Sequence, residues 1–174
     1  REEVFERFHR GRSGRQGPPG TGLGLAIARE LARRWGGDVR IERVDQAAEI
    51  QTVSGDIRID RSGGAATLQS VSGDLLVADA GGAVTLNSVS GDQKAENAGA
   101  GPVSAQSVSG DIRIGVRPGV RVWIDAASRS GDVSSQLDVR DGQASEGPVA
   151  ELRLQSLSGD IAIVRSAGVP AQAE

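Results

Sequence analysis

Apolar and polar residues alternate along most of this chain, in short runs separated by glycine-containing turns. The alternation has the two-residue period of β-strands, in which successive side chains point to opposite faces. One run follows each Ser-Gly-Asp sequence, as in Ile57/Ile59, and a second run follows a glycine pair, as in Ala66/Leu68. The pattern therefore predicts two short strands in each of several similar units.

The Ser-Gly-Asp sequence occurs at spacings of 18, 18, 19, 21 and 28 residues, beginning at Ser54, Ser72, Ser90, Ser109, Ser130 and Ser158. A period of about 20 residues with two β-runs per unit is typical of a solenoid, in which each unit buries its apolar side chains against its neighbours. We therefore predict a mainly β fold, a parallel β-solenoid-like repeat array of about six rungs over residues 44–166, preceded by one or two α-helices.

Equivalent apolar residues of successive units are expected to stack in rows inside the array. One predicted interior row comprises Val53, Val71, Val89, Val108 and Leu157. A second comprises Ile57, Leu75, Ile112, Val133 and Ile161. The third unit has Gln93, Lys94 and Ala95 where other units have aliphatic residues, so we expect local fraying there. The insertion at residues 138–151 is predicted to form an edge loop.

The residues before the repeats have a helical pattern instead. Val4, Phe5 and Phe8 share one face of a helix predicted over residues 2–10, and residues 11–20 form a loop rich in Gly and Pro. An apolar stripe with strict i+4 spacing predicts a second helix that opens near residue 21: Leu23, Ile27, Leu31 and Trp35. The alternation from Asp38 to Val44 predicts a strand that runs into the first rung.

The stretch GTGLGLAIAREL at residues 20–31 places glycines before a helix N-terminus, where backbone N–H groups and the helix dipole favour an anion. Together with REEVFERFHR and GRSGRQGPPG, it makes residues 1–42 resemble the end of the ATP-binding domain of a sensor histidine kinase. The resemblance implies nucleotide-binding roles for residues of its second glycine box and its phenylalanine box: Gly20, Thr21, Gly22, Leu23, Gly24, Leu25, Phe5 and Phe8.

Other nucleotide-binding elements of that family are missing from the sequence. They are the Asn-bearing helix that holds Mg²⁺, the first glycine box with its Asp, and the helix with the phosphoacceptor His; His9 is expected to be a surface residue. We therefore expect no tight ATP binding, no phosphotransfer and no catalytic residue in this chain. The alternative is a two-component histidine kinase in which a longer parent chain supplies the missing parts, with ATP and Mg²⁺ as its cofactors.

The Ser-Gly-Asp sequences predict turns, because Gly adopts positive φ and the Asp or Ser side chain accepts a nearby backbone N–H. The predicted turn residues are Ser54, Gly55, Asp56, Gly73, Asp74, Gly91, Asp92, Gly110, Asp111, Gly131, Asp132, Gly159 and Asp160. Stacked aspartates would also suit a calcium-binding ladder, the alternative interpretation. Calcium takes six to eight oxygen ligands and the units offer one Asp column, so we favour the turn and assign no metal site.

Residues 46–166 resemble a bacterial adhesin family built from β-strand repeats, whose biochemical function is undefined. The resemblance rests on the VSGDI-type turns, on RPGVRVWIDAASRSGDV and on ELRLQSLSGDIAIV. It implies a parallel β-solenoid and no catalytic residues. The function expected is therefore that of a non-enzymatic structural or surface-binding module, fused to a remnant of a histidine kinase ATP-binding domain.

Composition narrows the remaining function classes. The 174 residues contain no Cys, which excludes disulfides and thiolate chemistry, and there is no Ser/His/Asp arrangement because the only His precedes the repeats. Residues 1–43 have ten Arg against six acidic residues, a balance of +4, while the rest of the chain has a balance of −7. No basic stripe suggests nucleic acid, and no apolar run is long enough to span a membrane as a helix, so we expect a cytoplasmic protein.

Three segments are predicted: the kinase-like residues 1–43, the β-repeat array 44–166 and a disordered tail 167–174. The expected partner is an unidentified protein or surface ligand, with edge-to-edge self-association as a further possibility. We expect the stripe of the second helix to cover an open end of the array, since it has no kinase sheet to pack against.

Replacing Trp35 by Ala tests this capping hypothesis. Trp35→Ala is expected to lower the melting temperature by several degrees, because a buried aromatic side chain is lost from the cap. Arg34→Ala, on the predicted exposed side of the same helix, is the matched control and should leave the melting temperature unchanged. An unchanged melting temperature for Trp35→Ala contradicts the hypothesis.

Overall fold

The structure, a computed structural model, describes residues 37–137 and 148–166. These residues form thirteen β-strands: β1 (Val39–Val44), β2 (Ala48–Ser54), β3 (Ile57–Ser62), β4 (Ala66–Ser72), β5 (Leu75–Ala80), β6 (Val84–Ser90), β7 (Gln93–Ala98), β8 (Pro102–Ser109), β9 (Ile112–Val116), β10 (Arg121–Ser130), β11 (Val133–Ser135), β12 (Val149–Ser158) and β13 (Ile161–Arg165). The predicted helices, the Gly/Pro loop and the C-terminal tail lie outside the described residues.

The strands form two parallel sheets that share one core. Sheet A has the order β1-β3-β5-β7-β9-β13-β11, and sheet B has the order β2-β4-β6-β8-β12-β10. The chain passes from a sheet B strand through a Ser-Gly-Asp corner into a sheet A strand, and we call one such pair a rung. The predicted fold class, a parallel β-solenoid-like array of about six rungs, is confirmed. No helix in the described part of the chain is long and apolar enough to cross a membrane.

The interior consists of rows of equivalent aliphatic side chains. On sheet B one such row is Ile50, Leu68, Leu86, Ala105 and Leu154. On sheet A the corresponding row is Ile57, Leu75, Gln93, Ile112 and Ile161. Members of both rows are between 0 and 5% exposed. Because a single rung contributes only a few such side chains, burial depends on the rungs above and below it.

The predicted interior row through Val53, Val71, Val89, Val108 and Leu157 is wrong. These residues do form a row, but their side chains are 45–58% exposed. The residue before each of them is buried instead: Thr52, Ser70, Ser88, Ser107 and Ser156. Leu68 already faces the core, so strand alternation turns Ser70 inward and Val71 outward.

The last two rungs are stacked in the reverse of their chain order. The rung of β12 and β13 lies between the rung of β8 and β9 and the terminal rung of β10 and β11. The inserted rung contributes Leu152, Leu154, Ile161 and Ile163, all of them buried. Val133 stacks on Ile161 in the predicted row, but it is 48% exposed because it belongs to the terminal rung. The order places the more apolar rung where both of its sides are covered.

Two further predictions concern individual strands. The strand predicted from Asp38 to Val44 is confirmed as β1, which is parallel to β3. The fraying predicted for the third unit is not observed, because β7 pairs with β5 on one side and β9 on the other; the β7–β9 pairing shows only a register irregularity between Ala95 and Ala98. Gln93 is completely buried there, and its Nε2 donates a hydrogen bond of 2.6 Å to the carbonyl of Gln106. One polar side chain thus takes a place in the aliphatic row.

The difference between Leu68 and Val71 is testable by chemical denaturation. Leu68→Ala is expected to reduce the free energy of unfolding by about 2–5 kcal/mol, because it leaves a cavity between the rungs above and below. Val71→Ala, three residues away on the opposite face, should change it by about 0.5 kcal/mol or less. Equal losses for the two variants would show that Val71 is an interior residue after all.

Candidate functional site

Each Ser-Gly-Asp corner approaches the next one too closely for any side chain at its glycine. At Gly73 φ is +135°, and a Cβ atom there would lie 2.3 Å from the carbonyl oxygen of Gly55. The Gly55 N–H in turn donates to the carbonyl of Ser72 at 3.1 Å, which joins the two corners. Glycine is therefore required because the backbone of one rung occupies the space of a side chain in the next.

The aspartates of the corners form a continuous row of hydrogen bonds. Each Oδ1 accepts the backbone N–H of the Asp in the next rung, at distances between 2.8 and 3.0 Å. In stacking order the row, which we call the Asp row, is Asp38, Asp56, Asp74, Asp92, Asp111, Asp160 and Asp132. The structure thus brings together the six aspartates singled out in the sequence and adds Asp38.

The backbone N–H groups of the Asp row offset the repulsion between its stacked carboxylates. Unit charges about 4.8 Å apart repel by about 0.9 kcal/mol in water, and an N–H pointing at each carboxylate offsets that cost. Within the described ranges no group of three His, Cys, Asp or Glu side chains is arranged to hold a metal ion. The geometry of the Asp row therefore has a structural explanation in the backbone of the next rung.

A shallow groove runs along sheet B beside the Asp row. Its two walls are an amide row, Gln51, Gln69, Asn87, Gln106 and Gln155, and the aliphatic row already described, Val53, Val71, Val89, Val108 and Leu157. Its floor is the row of Thr52 and the four equivalent serines. The groove spans five rungs, encloses about 710 Å³ and has no charged lining residue. We call it the amide–aliphatic groove.

Sheet A presents charged side chains on its outer face, and most of them are paired. Asp60 lies between two cations, 2.6 Å from Arg58 and 3.1 Å from Arg40. The hydrogen bond from Arg58 holds the pKa of Asp60 below its usual value. Desolvation opposes this effect, and the hydrogen bond and charge of Arg40 add to it. Asp79 also lies between two cations: its Oδ1 is 2.5 Å from Nη2 of Arg117, and its Oδ2 is 3.5 Å from Nε of Arg61. The pairs Arg40–Asp60 and Arg61–Asp79 connect neighbouring strands of sheet A, Arg58–Asp60 lies within β3, and Arg117–Asp79 reaches across β7.

Neither the amide–aliphatic groove of sheet B nor the charged outer face of sheet A was predicted from the sequence. The amide–aliphatic groove has a clear pattern in hindsight, a Gln or Asn two residues before the exposed Val or Leu in five units. The residues with nucleotide-binding roles implied by the kinase resemblance, namely Gly20, Thr21, Gly22, Leu23, Gly24, Leu25, Phe5 and Phe8, lie outside the described residues. The structure therefore gives no geometry for them.

The contribution of the Asp row is measurable at Asp74. Asp74→Ala is expected to lower the free energy of unfolding by about 1 kcal/mol, because the Asp92 N–H loses its acceptor. Asp74→Asn should lose less, since its side-chain oxygen still accepts that bond and one repelling charge is removed. Glu42→Ala, at an exposed carboxylate outside the row, is the control. Equal effects of all three substitutions would mean that the row contributes nothing to stability.

Comparison with known proteins identifies the family from the β-repeats alone. No curated protein matches the chain, and neither does any solved structure. No histidine kinase family model matches it either. The family model described as Toastrack DUF4097 matches residues 33–164, a range that includes every strand from β1 to β12 and most of β13. Since that is well over half of its length, the chain belongs to the Toastrack DUF4097 family.

Proposed function

We propose that this chain is a non-enzymatic binding module that holds an extended, uncharged polymer in the amide–aliphatic groove, as an adhesin-like protein holds a surface glycan. The observation that carries the proposal is the repetition of the same amide and the same aliphatic side chain in five successive rungs. A repeating surface suits a repeating ligand, because each ligand unit then finds the same partners. The backbone ladder beneath keeps these side chains at a fixed spacing.

The chemistry of the groove favours a ligand with hydroxyl groups and apolar faces. Gln and Asn side chains both donate and accept hydrogen bonds, so they match hydroxyl groups of either orientation. Exposed Val and Leu offer apolar contact beside them. The Asp row lies along the neighbouring corner and repels polyanions. The groove itself has no carboxylate to pair with a polycation, so neutral polymers such as uncharged glycans are the best-matched class.

A non-enzymatic role is supported by the state of the groove's reactive groups. The five hydroxyl side chains at the floor of the groove are buried and point inward, away from a bound ligand. Thr52 and Ser88 donate to backbone carbonyls two residues on, at 2.9 and 3.0 Å, while the Oγ atoms of the other three have no hydrogen-bond partner. No carboxylate or histidine lines the groove to activate such a hydroxyl as a nucleophile. Binding, rather than covalent chemistry, is what this arrangement of side chains provides.

The proposal is tested by measuring binding to a panel of soluble neutral polysaccharides by isothermal titration calorimetry. Gln69→Ala/Asn87→Ala is expected to weaken binding about tenfold, because two central hydrogen-bonding side chains are lost. Thr67→Ala/Thr85→Ala changes two outward side chains of the same strands outside the groove and is the matched control.

Three outcomes would contradict the proposal: no neutral polysaccharide binds, the control weakens binding as much as the groove variant, or only charged polymers bind. Far-UV circular dichroism on each variant separates loss of binding from loss of fold.

A further inference from the structure

Strand β10 is a long sheet edge without a neighbour on one side. It contains ten residues, pairs with β12, and ends sheet B in the described part of the chain. From Val122 to Ser130, no strand within residues 37–137 and 148–166 pairs with the N–H and C=O groups along its other side. An unpaired edge of this length is a template for a further β-strand, and proteins usually blunt such edges with a proline, a bulge or an inward charge. From Arg121 to Ser130 there is no proline, and the inward side chains are uncharged.

The interior rows also end uncovered at this rung. Ile124 is 38% exposed, whereas Leu152, its neighbour in the row, is completely buried. Val133 is 48% exposed beside the buried Ile161. Trp123, on the outer face of β10, is 53% exposed. Apolar side chains and unpaired backbone groups thus occur together at one end of the array.

We propose that this end is a dimer interface, in which β10 pairs antiparallel with β10 of a second copy, tail to tail. A two-fold axis brings two identical edges together, and an antiparallel pair of strands satisfies the free backbone groups of both. The partner extends sheet B from six strands to twelve and covers the ends of the rows at Ile124. Backbone hydrogen bonds between strands also join neighbouring rungs within the chain, where the strands are parallel. This inference does not depend on the ligand of the amide–aliphatic groove.

Strand alternation restricts the register of that pairing. Directly opposed residues of an antiparallel pair must face the same side, so the axis passes through a residue of β10 rather than between two. Only the registers centred on Asp125 and on Ala126 pair nine of the ten residues of β10 with the second copy. Centring on Asp125 would oppose this carboxylate to its own copy and Arg121 to Arg129. Centring on Ala126 instead opposes Trp123 to Arg129 of the second copy, twice by symmetry, an arrangement favourable for cation–π contact. We assign the register centred on Ala126.

A single introduced cysteine tests both the dimer and its register, because the full chain contains no Cys. In the assigned register residue 126 faces its own copy, so Ala126→Cys should form a disulfide-linked dimer under mild oxidation. Ala78→Cys is the matched control: Ala78 is also partly exposed but lies on the central strand β5, and this variant should stay monomeric. Light scattering on the wild type should give twice the chain mass at high concentration and a lower mass on dilution.

An inward charge at the edge provides the second variant. Ile124→Lys should give monomers at every concentration with an unchanged far-UV circular dichroism spectrum, because a lysine would be buried at the dimer interface. A monomeric wild type, or equal cross-linking of the two cysteine variants, overturns the proposal. Species that grow beyond the dimer also overturn it, because they indicate head-to-tail stacking.

Discussion

Backbone hydrogen bonding between equivalent residues of stacked rungs is the constraint on which the rest of the structure depends. Every strand is parallel to its neighbours, and repeat-equivalent residues stack on one another over most of each ladder. Because side chains alternate with a period of two, a position that faces inward in one rung faces inward in all of them. The aliphatic rows, the Asp row and the amide–aliphatic groove are all consequences of that single constraint.

How far the sequence predicts this structure depends on how strongly each position is restricted. The row through Ile57, Leu75, Ile112 and Ile161 is predictable because each residue directly follows a corner and begins an alternating run. The row through Val71 is not interior, and the sequence contains the reason. Leu68 and Val71 are three positions apart in one continuous strand, so they cannot both face the core. The hydrophobicity of Val71 suggested that it is buried, whereas the alternation of side chains along the strand places it on the outer face.

The first strand of the array was not assigned to the repeats from the sequence, because two patterns overlap there. Gly36-Gly37-Asp38-Val39 directly follows the helical stripe that runs to Trp35, and it also resembles the Ser-Gly-Asp-apolar corner of the repeats, with Gly in place of Ser. Asp38 accepts the Asp56 N–H at 3.0 Å, and β1 is the first strand of sheet A. The order of the last two rungs was hidden for a different reason. The rung of β12 and β13 is the more apolar of the two and occupies the covered position. The spacing of the Ser-Gly-Asp sequences contains no information about this difference.

Two outward rows of sheet B keep the same chemistry through five rungs, whereas a third does not. Inward positions repeat because they must pack, and corner glycines repeat because a neighbouring carbonyl excludes any side chain. Outward positions have no such restriction, and one outward row of sheet B varies accordingly: Glu49, Thr67, Thr85, Ser104 and Arg153. Duplication of a common unit would have left all outward rows equally similar, and β-propensity acts on each of them alike. The amide and aliphatic rows nevertheless keep one chemistry through five rungs, which supports the proposal of a ligand that contacts those two rows together.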